Sequence, residues 1–189
     1  DLIDTMIITA REMSDELGKL HDYGDEEKSK IYRKIGMAAL KYFILKVDPR
    51  KNMMFNPRES IDFNGRTGPF IQYTYARISS LMRLASEKGY TVRDIDSGVV
   101  INEKETELVK LLRQYEDVVS EAAEIMNPSV IANYAYDLAR EFNQFYHDYT
   151  ILGEKVPELR NFRIALSEYT GKIICRSMNL LGIEMPERM

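Results

Sequence analysis

Apolar side chains recur every three or four residues between positions 71 and 85, and this spacing predicts an amphipathic α-helix. The repeat consists of Ile71, Tyr75, Ile78, Met82 and Ala85. Thr67 is placed to cap the N-terminus, Pro69 fits the first turn, and Gly89 follows the last apolar position. We therefore predict a long central helix that starts after Thr67 and ends near Gly89.

The same periodicity predicts further helices on both sides of the central one. Upstream, one helix runs to about Gly18 and a second from about Glu26 to Lys46, and residues 52–63 form a loop or an edge ribbon. Downstream of a connector at 90–102, helices are predicted over about 102–125, 127–149 and 158–181. The prediction is an all-α fold, in which two helices and a short extended segment precede a four-helix bundle that begins at Thr67.

Finer details of the downstream helices are also predicted. Asn102 and Glu105 have the spacing of a capping box. In the last helix, five apolar side chains are expected to face inward: Phe162, Leu166, Tyr169, Ile173 and Leu180. In the helix that starts at Asn102, the apolar stripe is expected to remain buried as far as Ile125.

A second face of the central helix carries polar and aromatic chemistry. At about 100° per residue, Phe70, Tyr73 and Arg77 lie together, roughly a third of a turn from the centre of the apolar stripe. Aromatic rings beside a guanidinium can stack on unstacked RNA bases and pair with phosphates. The alternative is that Phe70 and Tyr73 pack beneath a neighbouring helix while Arg77 reaches water. Spacing alone leaves both interpretations open.

Charge favours an RNA contact only locally. The net charge of −4 argues against non-specific binding to nucleic acid, and we expect no DNA partner. Between positions 66 and 93, however, basic residues outnumber the single acid, Glu87. The basic residues are Arg66, Arg77, Arg83, Lys88 and Arg93. Any RNA contact is therefore expected to be confined to this part of the surface.

The motifs of enzyme active sites and metal sites are missing from the 189 residues. There is no glycine-rich phosphate loop, and the two histidines, His21 and His147, lack metal-ligand spacing. The single cysteine, Cys175, cannot form an internal disulfide. No apolar run has the length of a membrane span, and the first residues do not read as a signal peptide. We expect a cytoplasmic chain with no cofactor, metal or membrane partner.

Three classes of function remain open from the residues alone. The first is an RNA-recognition module, which a positive band joining Arg77, Arg83 and the C-terminus would favour. The second is a helical protein-interaction scaffold, with an exposed apolar groove and no dependence of binding on Arg77. The third is a small-molecule-binding bundle, which needs a polar-lined cavity in its core.

Several dispersed segments resemble one known family, in the family's own order. The first is Ser60-Ile61-Asp62-Phe63-Asn64-Gly65-Arg66-Thr67-Gly68-Pro69-Phe70-Ile71-Gln72-Tyr73-Thr74-Tyr75-Ala76-Arg77-Ile78. It closely resembles the stretch of arginyl-tRNA synthetases that enters their anticodon-binding domain. Segments 39–43, 128–134, 142–147 and 180–189 agree as well. The resemblance covers essentially the whole chain.

This resemblance implies that the chain is the C-terminal part of a longer class I synthetase that joins arginine to its tRNA using ATP. Residues 1–65 would be the end of the catalytic half, and 66–189 the helical anticodon-binding domain. The ATP-binding signatures would precede Asp1, so the fragment should bind arginine tRNA without aminoacylating it. ATP would serve only the full-length enzyme, which is expected to be a monomer.

The family's anticodon-binding positions carry over to seven residues: Phe70, Tyr73, Arg77, Arg83, Tyr146, Thr150 and the C-terminal Met189. The aromatic rings would stack on bases and the arginines would pair with phosphates or base edges. Met189, with its terminal carboxylate, would close one side of a base pocket. Phe70 stands where tyrosine is common, so stacking without a hydroxyl contact is expected there. At Thr150 some members carry a large aromatic residue.

Overall fold

The computed structural model describes residues 1–16, 23–90, 95 and 98–189, and in these residues the chain is helical. They contain eight helices and no β-strand, which confirms the all-α prediction. The helices are α1 Leu2–Glu16, α2 Asp25–Leu45, α3 Pro57–Ser60, α4 Gly68–Glu87, α5 Glu103–Arg113, α6 Tyr115–Glu124, α7 Ser129–Asp148 and α8 Pro157–Leu180. Several predicted features lie outside the described residues: the end of the first helix at Gly18, His21, Arg93, and the connector residues 94, 96 and 97.

Helix α2 lies between two hydrophobic cores. The larger core is built mainly by α4, α5, α7 and α8, and the smaller one by α1, α2 and the residues after α3. Tyr42 of α2 is buried in the larger core, and its hydroxyl donates a hydrogen bond to the carbonyl oxygen of Ala132 at 3.2 Å. Burial raises the pKa of Tyr42 far above its ordinary value. This contact fixes α2 against the downstream bundle.

Gly68 allows the start of α4 to cross α2 at close range. A Cβ atom at this position would overlap the backbone carbonyl group of Ala38 and lie 3.0 Å from the Cβ of Tyr42. Any larger residue would push the two helices apart. Because α4 carries four of the seven predicted site residues, this crossing sets the position of the site relative to α2.

Both predicted caps are present. Thr67 caps α4, and Asn102 and Glu105 form a reciprocal capping box at the start of α5, with N–H···O distances of 2.8 and 2.9 Å. The segment before α4 is a loop that contains the short helix α3, capped by Asn56, so the edge-ribbon alternative is wrong. In the described part of the chain, no helix combines the length and apolarity needed to cross a bilayer.

The predicted single helix over 102–125 is wrong, because two helices occupy it. The chain tightens at Gln114, whose backbone N–H donates to the carbonyl oxygen of Leu111 at 3.1 Å, three residues back. This turn shifts the helical phase between α5 and α6. Leu108 and Leu112 remain buried as predicted, but Ile125 is 51% exposed.

The inward face of α8 also differs from the prediction. Leu166 and Ile173 are buried, but Tyr169 and Leu180 are 50% and 56% exposed. The buried face of α8 combines large apolar residues with small and hydroxyl residues; the apolar ones are Ile164, Leu166, Ile173, Ile174 and Met178. Ser167, Thr170 and Ser177 are fully buried, and each hydroxyl donates to the carbonyl oxygen four residues back at 2.7–2.9 Å. A count of apolar positions therefore misplaced this face.

Candidate functional site

Helix α4 starts from a side-chain cap that is itself anchored to the preceding loop. Thr67 Oγ1 accepts a hydrogen bond from the backbone N–H of Phe70 at 3.2 Å, and the same hydroxyl donates to the carbonyl oxygen of Asp62. Pro69 follows in the first turn, as predicted. The helical phase of α4 is thereby fixed from its first turn, and with it the direction of the side chains at 73, 77 and 83.

Five of the seven predicted site residues line one cavity of about 640 Å³: Tyr73, Arg77, Arg83, Tyr146 and Met189. Its wall is completed by Ala76, Ser80, Leu81 and Leu84 of α4, by Arg188, by Tyr23 just before α2 and by Glu27 in the first turn of α2. The cavity thus lies where α4, the end of α7, the C-terminal residues and the start of α2 meet. This arrangement is called the α4 cavity below.

The α4 cavity is basic on a chain whose net charge is −4. Three arginines, Arg77, Arg83 and Arg188, line it, against the carboxylate of Glu27 and the terminal carboxylate of Met189. The cavity therefore favours an anionic ligand although the chain as a whole does not. Arginines therefore lie along the surface from the central helix to the C-terminus, where the RNA-recognition class expects a positive band.

Arg77 lies between two tyrosine rings. Its Cζ is 5.0 Å from the ring centroid of Tyr73 and 5.2 Å from that of Tyr146, which is the geometry of a cation–π contact on each side. Its Nη1 donates a hydrogen bond to Asn143 Oδ1. Within the described residues, no carboxylate forms an ion pair with Arg77. The guanidinium is therefore ordered but keeps its positive charge.

The other residues of the α4 cavity differ in exposure. Tyr73 and Met189 are half-buried and pack against the smaller core, as the packing alternative expected for Tyr73. Tyr146 is 38% exposed, and its ring centroid is 6.0 Å from that of Phe142. Arg83 is exposed, and its Nη2 donates to Ser80 Oγ at 3.1 Å. Rings and cations are thus presented together at an accessible surface.

Phe70 and Thr150 do not line the cavity. Phe70 is half-buried and packs against Tyr136 of α7, with the ring centroids 5.3 Å apart. Thr150 follows the end of α7 with its side chain exposed, and its carbonyl oxygen accepts a hydrogen bond from Arg163 Nη1 at 2.9 Å. Their roles in RNA binding stay predictions.

Sequence reasoning did not name several residues that line this site or contact Arg77, among them Asn143, Arg188, Tyr23 and Glu27. Asn143 and Arg188 lie within segments that resemble the synthetase family, so the signal was available but their individual roles were not. Tyr23 and Glu27 carry no local signal, because they reach the α4 cavity only through the packing of α2.

The described residues contain no group of three or more His, Cys, Asp and Glu side chains placed to hold a metal ion. His147 is exposed near the end of α7, and its Nδ1 lies 2.9 Å from Asp148 Oδ1.

The chain is similar to a known protein family and to several known proteins. The family described as DALR anticodon binding domain matches residues 71–189. Relatives named arginine–tRNA ligase from Parabacteroides distasonis and Phocaeicola vulgatus are 56% and 57% identical over 190 residues. The matches cover all of this chain but 32% and 31% of those proteins. The chain therefore spans about a third of the length of the curated relatives it matches.

Solved structures with the same fold are also known. The arginyl-tRNA synthetase of Thermus thermophilus matches all of this chain and 32% of its own chain, with a TM-score of 0.88 and 29% identity. The Plasmodium falciparum arginyl-tRNA synthetase matches all of this chain and 33% of its own, with a TM-score of 0.81 and 21% identity, which shows the fold alone. The first of these matches agrees with the resemblance drawn from the dispersed segments, and the second agrees with the all-α fold.

Proposed function

Because this chain belongs to the DALR anticodon binding domain family, we propose that it recognises the anticodon loop of an arginine tRNA as part of a longer arginine–tRNA ligase. The observation that carries the proposal is the α4 cavity, where Arg77 lies between Tyr73 and Tyr146 among further arginines. Loop bases that leave the helical stack are recognised by aromatic faces, guanidinium planes and donors to their edges. The choice of arginine tRNA rests on the names of the relatives.

Six residues of the cavity have a role in this proposal. Tyr146 and the accessible part of Tyr73 stack on bases, and each stacked base contributes about 1–3 kcal/mol. Arg77 pairs with a base edge or a phosphate, whereas the exposed Arg83 and Arg188 neutralise phosphates. Met189, with its terminal carboxylate, closes one side of the base pocket.

The same proposal extends to the longer protein. Residues 66–189 form its anticodon-binding domain, and residues 1–65 form the end of its catalytic part. The longer protein is a cytoplasmic monomer that uses ATP to join arginine to tRNA, and its ATP and arginine sites lie on residues that the present chain does not include. The present chain binds the tRNA without catalysing the ligation.

The test is a titration of the chain with arginine tRNA and with the same tRNA carrying a changed middle anticodon base, at one stated salt concentration. The unmodified chain is expected to prefer the native anticodon. Arg77→Ala should lower that preference about 5- to 150-fold, which corresponds to one lost base contact. Arg113→Ala is the matched control, because Arg113 is exposed at the end of α5 and does not line the α4 cavity.

Two results would contradict the proposal. One is equal affinity of the unmodified chain for both tRNAs. The other is an equal loss in the Arg77 and Arg113 variants, which would indicate general charge attraction. Either result would refute recognition of the anticodon by the α4 cavity.

A further inference from the structure

The side-chain amide of Asn143 connects α7 to α4 beneath Arg77. Its Nδ2 donates a hydrogen bond to Thr74 Oγ1 at 2.7 Å, and its Oδ1 accepts from Arg77 Nη1. Thr74 is fully buried, and its own hydroxyl donates to the carbonyl oxygen of Phe70 at 2.9 Å. A continuous set of hydrogen bonds therefore runs from the backbone of α4 to the guanidinium.

The partners of the amide determine which end of it faces Arg77. A hydroxyl carries one proton, and Thr74 uses that proton on the Phe70 carbonyl, so it can only accept from Asn143. A guanidinium can only donate, so it requires the amide oxygen. Both ends select the same orientation of Asn143, and a flipped amide would lose both bonds.

Helical spacing brings the tyrosine rings to the same guanidinium. Tyr73 precedes Arg77 by one turn on α4, and Tyr146 follows Asn143 by three residues on α7, so each pair shares a helix face. Arg77 is thus in contact with two rings and one amide oxygen, at 5.0 and 5.2 Å for the rings. All three partners are uncharged, so they order the side chain without cancelling its charge.

We propose that Asn143, supported by Thr74, is a positioning residue that holds Arg77 in its RNA-binding orientation before RNA arrives. As far as RNA is concerned, this inference rests on the proposed function. An arginine that is already ordered loses less side-chain entropy on binding. Loss of the positioning contact is expected to weaken anticodon preference about 2- to 12-fold, the range for immobilising one long side chain.

The first experiment needs no RNA. Nitrogen-15 NMR of the free chain is expected to show separate Nη–H resonances for Arg77, because the amide and the rings restrict rotation about the Cζ–Nε bond. Asn143→Ala should average these resonances. Gln144→Ala is the matched control, since this neighbouring amide accepts from Lys104 Nζ at 2.7 Å and does not contact Arg77. Averaged resonances in the unmodified chain would overturn the inference.

The second experiment measures anticodon preference in the tRNA titration. Asn143→Ala and Thr74→Val should each lose about 2- to 12-fold, and Thr74→Ser should recover the loss because it restores the hydroxyl. The salt dependence of affinity should stay unchanged in Asn143→Ala, since the charge of Arg77 remains. In the Arg77→Ala background, Asn143→Ala should cause no further loss.

The outcomes separate the inference from the proposed function. An additive loss in the double variant, or no loss in either single variant while Arg77→Ala loses preference, overturns the positioning role. Restricted Arg77 resonances that Asn143→Ala releases, in a chain that binds both tRNAs equally, support the positioning role and refute anticodon recognition.

Discussion

Arg163 and Arg77 both stack on tyrosines at the C-terminal end of α7, yet they are held in opposite ways. Arg163 lies 5.1 Å from the ring centroid of Tyr149 and is 6% exposed. Its Nε donates to Glu105 Oε1 at 2.6 Å, and its Nη1 donates to Glu154 Oε2 at 2.8 Å. Arg77 lies on α4 and contacts α7 about one helical turn before Tyr149. It donates a hydrogen bond to the neutral amide of Asn143 and is half-buried.

This difference separates a structural arginine from a binding one. Two carboxylates cancel the charge of Arg163, which thereby joins α5, α8 and the loop after α7. An uncharged partner orders Arg77 and leaves its charge for a ligand. Ring stacking alone does not distinguish the two, whereas the formal charge of the hydrogen-bond partner does.

The largest expected effect follows from removing the paired arginine. Arg163→Met should lower the free energy of unfolding by about 3–5 kcal/mol, because it leaves the Glu105 carboxylate, which is 0% exposed, without a positive charge beside it. Urea denaturation measures the change. Arg176→Met, at an exposed position of the same helix, should alter stability by no more than about 0.5 kcal/mol. Similar losses in both variants would remove the contrast with Arg77.

The next effect concerns a ring on the binding side. Tyr146→Leu should weaken binding of arginine tRNA by about 1–3 kcal/mol through one lost base stack. Tyr169→Leu is the control, because that tyrosine is 50% exposed on α8 and lies outside the α4 cavity. Equal binding by the two variants would show that Tyr146 only packs beside Arg77.

A smaller effect on anticodon preference is expected when Arg77 is replaced by a residue that is also positively charged but lacks the planar guanidinium. Arg77→Lys should reduce anticodon preference by about 1 kcal/mol, because an ammonium cannot reproduce the planar contact with both rings. The salt dependence of binding should not change. The free energy of unfolding should shift by less than about 1 kcal/mol, unlike the Arg163 variant. Full preference with lysine would mean that charge alone matters at this position.

The smallest effect is a pH dependence on the structural side. Backbone N–H groups of Val156 and Lys155, together with Arg163, hold the pKa of Glu154 below its ordinary value. A lowered folded-state pKa stabilises the fold above the ordinary value of 4.5, and this stabilisation is lost as pH falls through the folded-state pKa. Below about pH 4.5, the midpoint temperature of thermal unfolding should therefore depend less on pH in Glu154→Gln than in the unmodified chain. Identical curves would contradict this assignment.

Local patterns predicted the elements well where a side chain bonds to its own helix. The Thr67 cap and the Asn102–Glu105 capping box were both readable, since their partners lie three residues apart. The break at Gln114 was not readable, because neither proline nor glycine marks it. The buried hydroxyl face of α8 was missed for a related reason, since a serine satisfied by its own helix packs like a small apolar residue.

The candidate site was predictable in part. The family resemblance named five residues that the fold gathers in one cavity, although they lie on α4, on α7 and at the C-terminus. It also named Phe70, whose ring packs on Tyr136, and Thr150, whose carbonyl belongs to the Arg163 contacts. The position of a residue in a family motif predicts which residue is a candidate, but it does not predict the direction of its side chain in the fold.

Most of the helices and the caps of α4 and α5 could be predicted from the sequence, because hydrophobic periodicity and capping act over a few residues. Which arginine pairs with carboxylates, and which does not, depends on the packing of distant helices. Arg163 and Glu105 are 58 residues apart, and Arg77 and Asn143 are 66 apart, so no local pattern relates either pair. A guanidinium that packs against carboxylates, as in Arg163, is structural, whereas one that packs against neutral groups, as in Arg77, can still pair with a ligand.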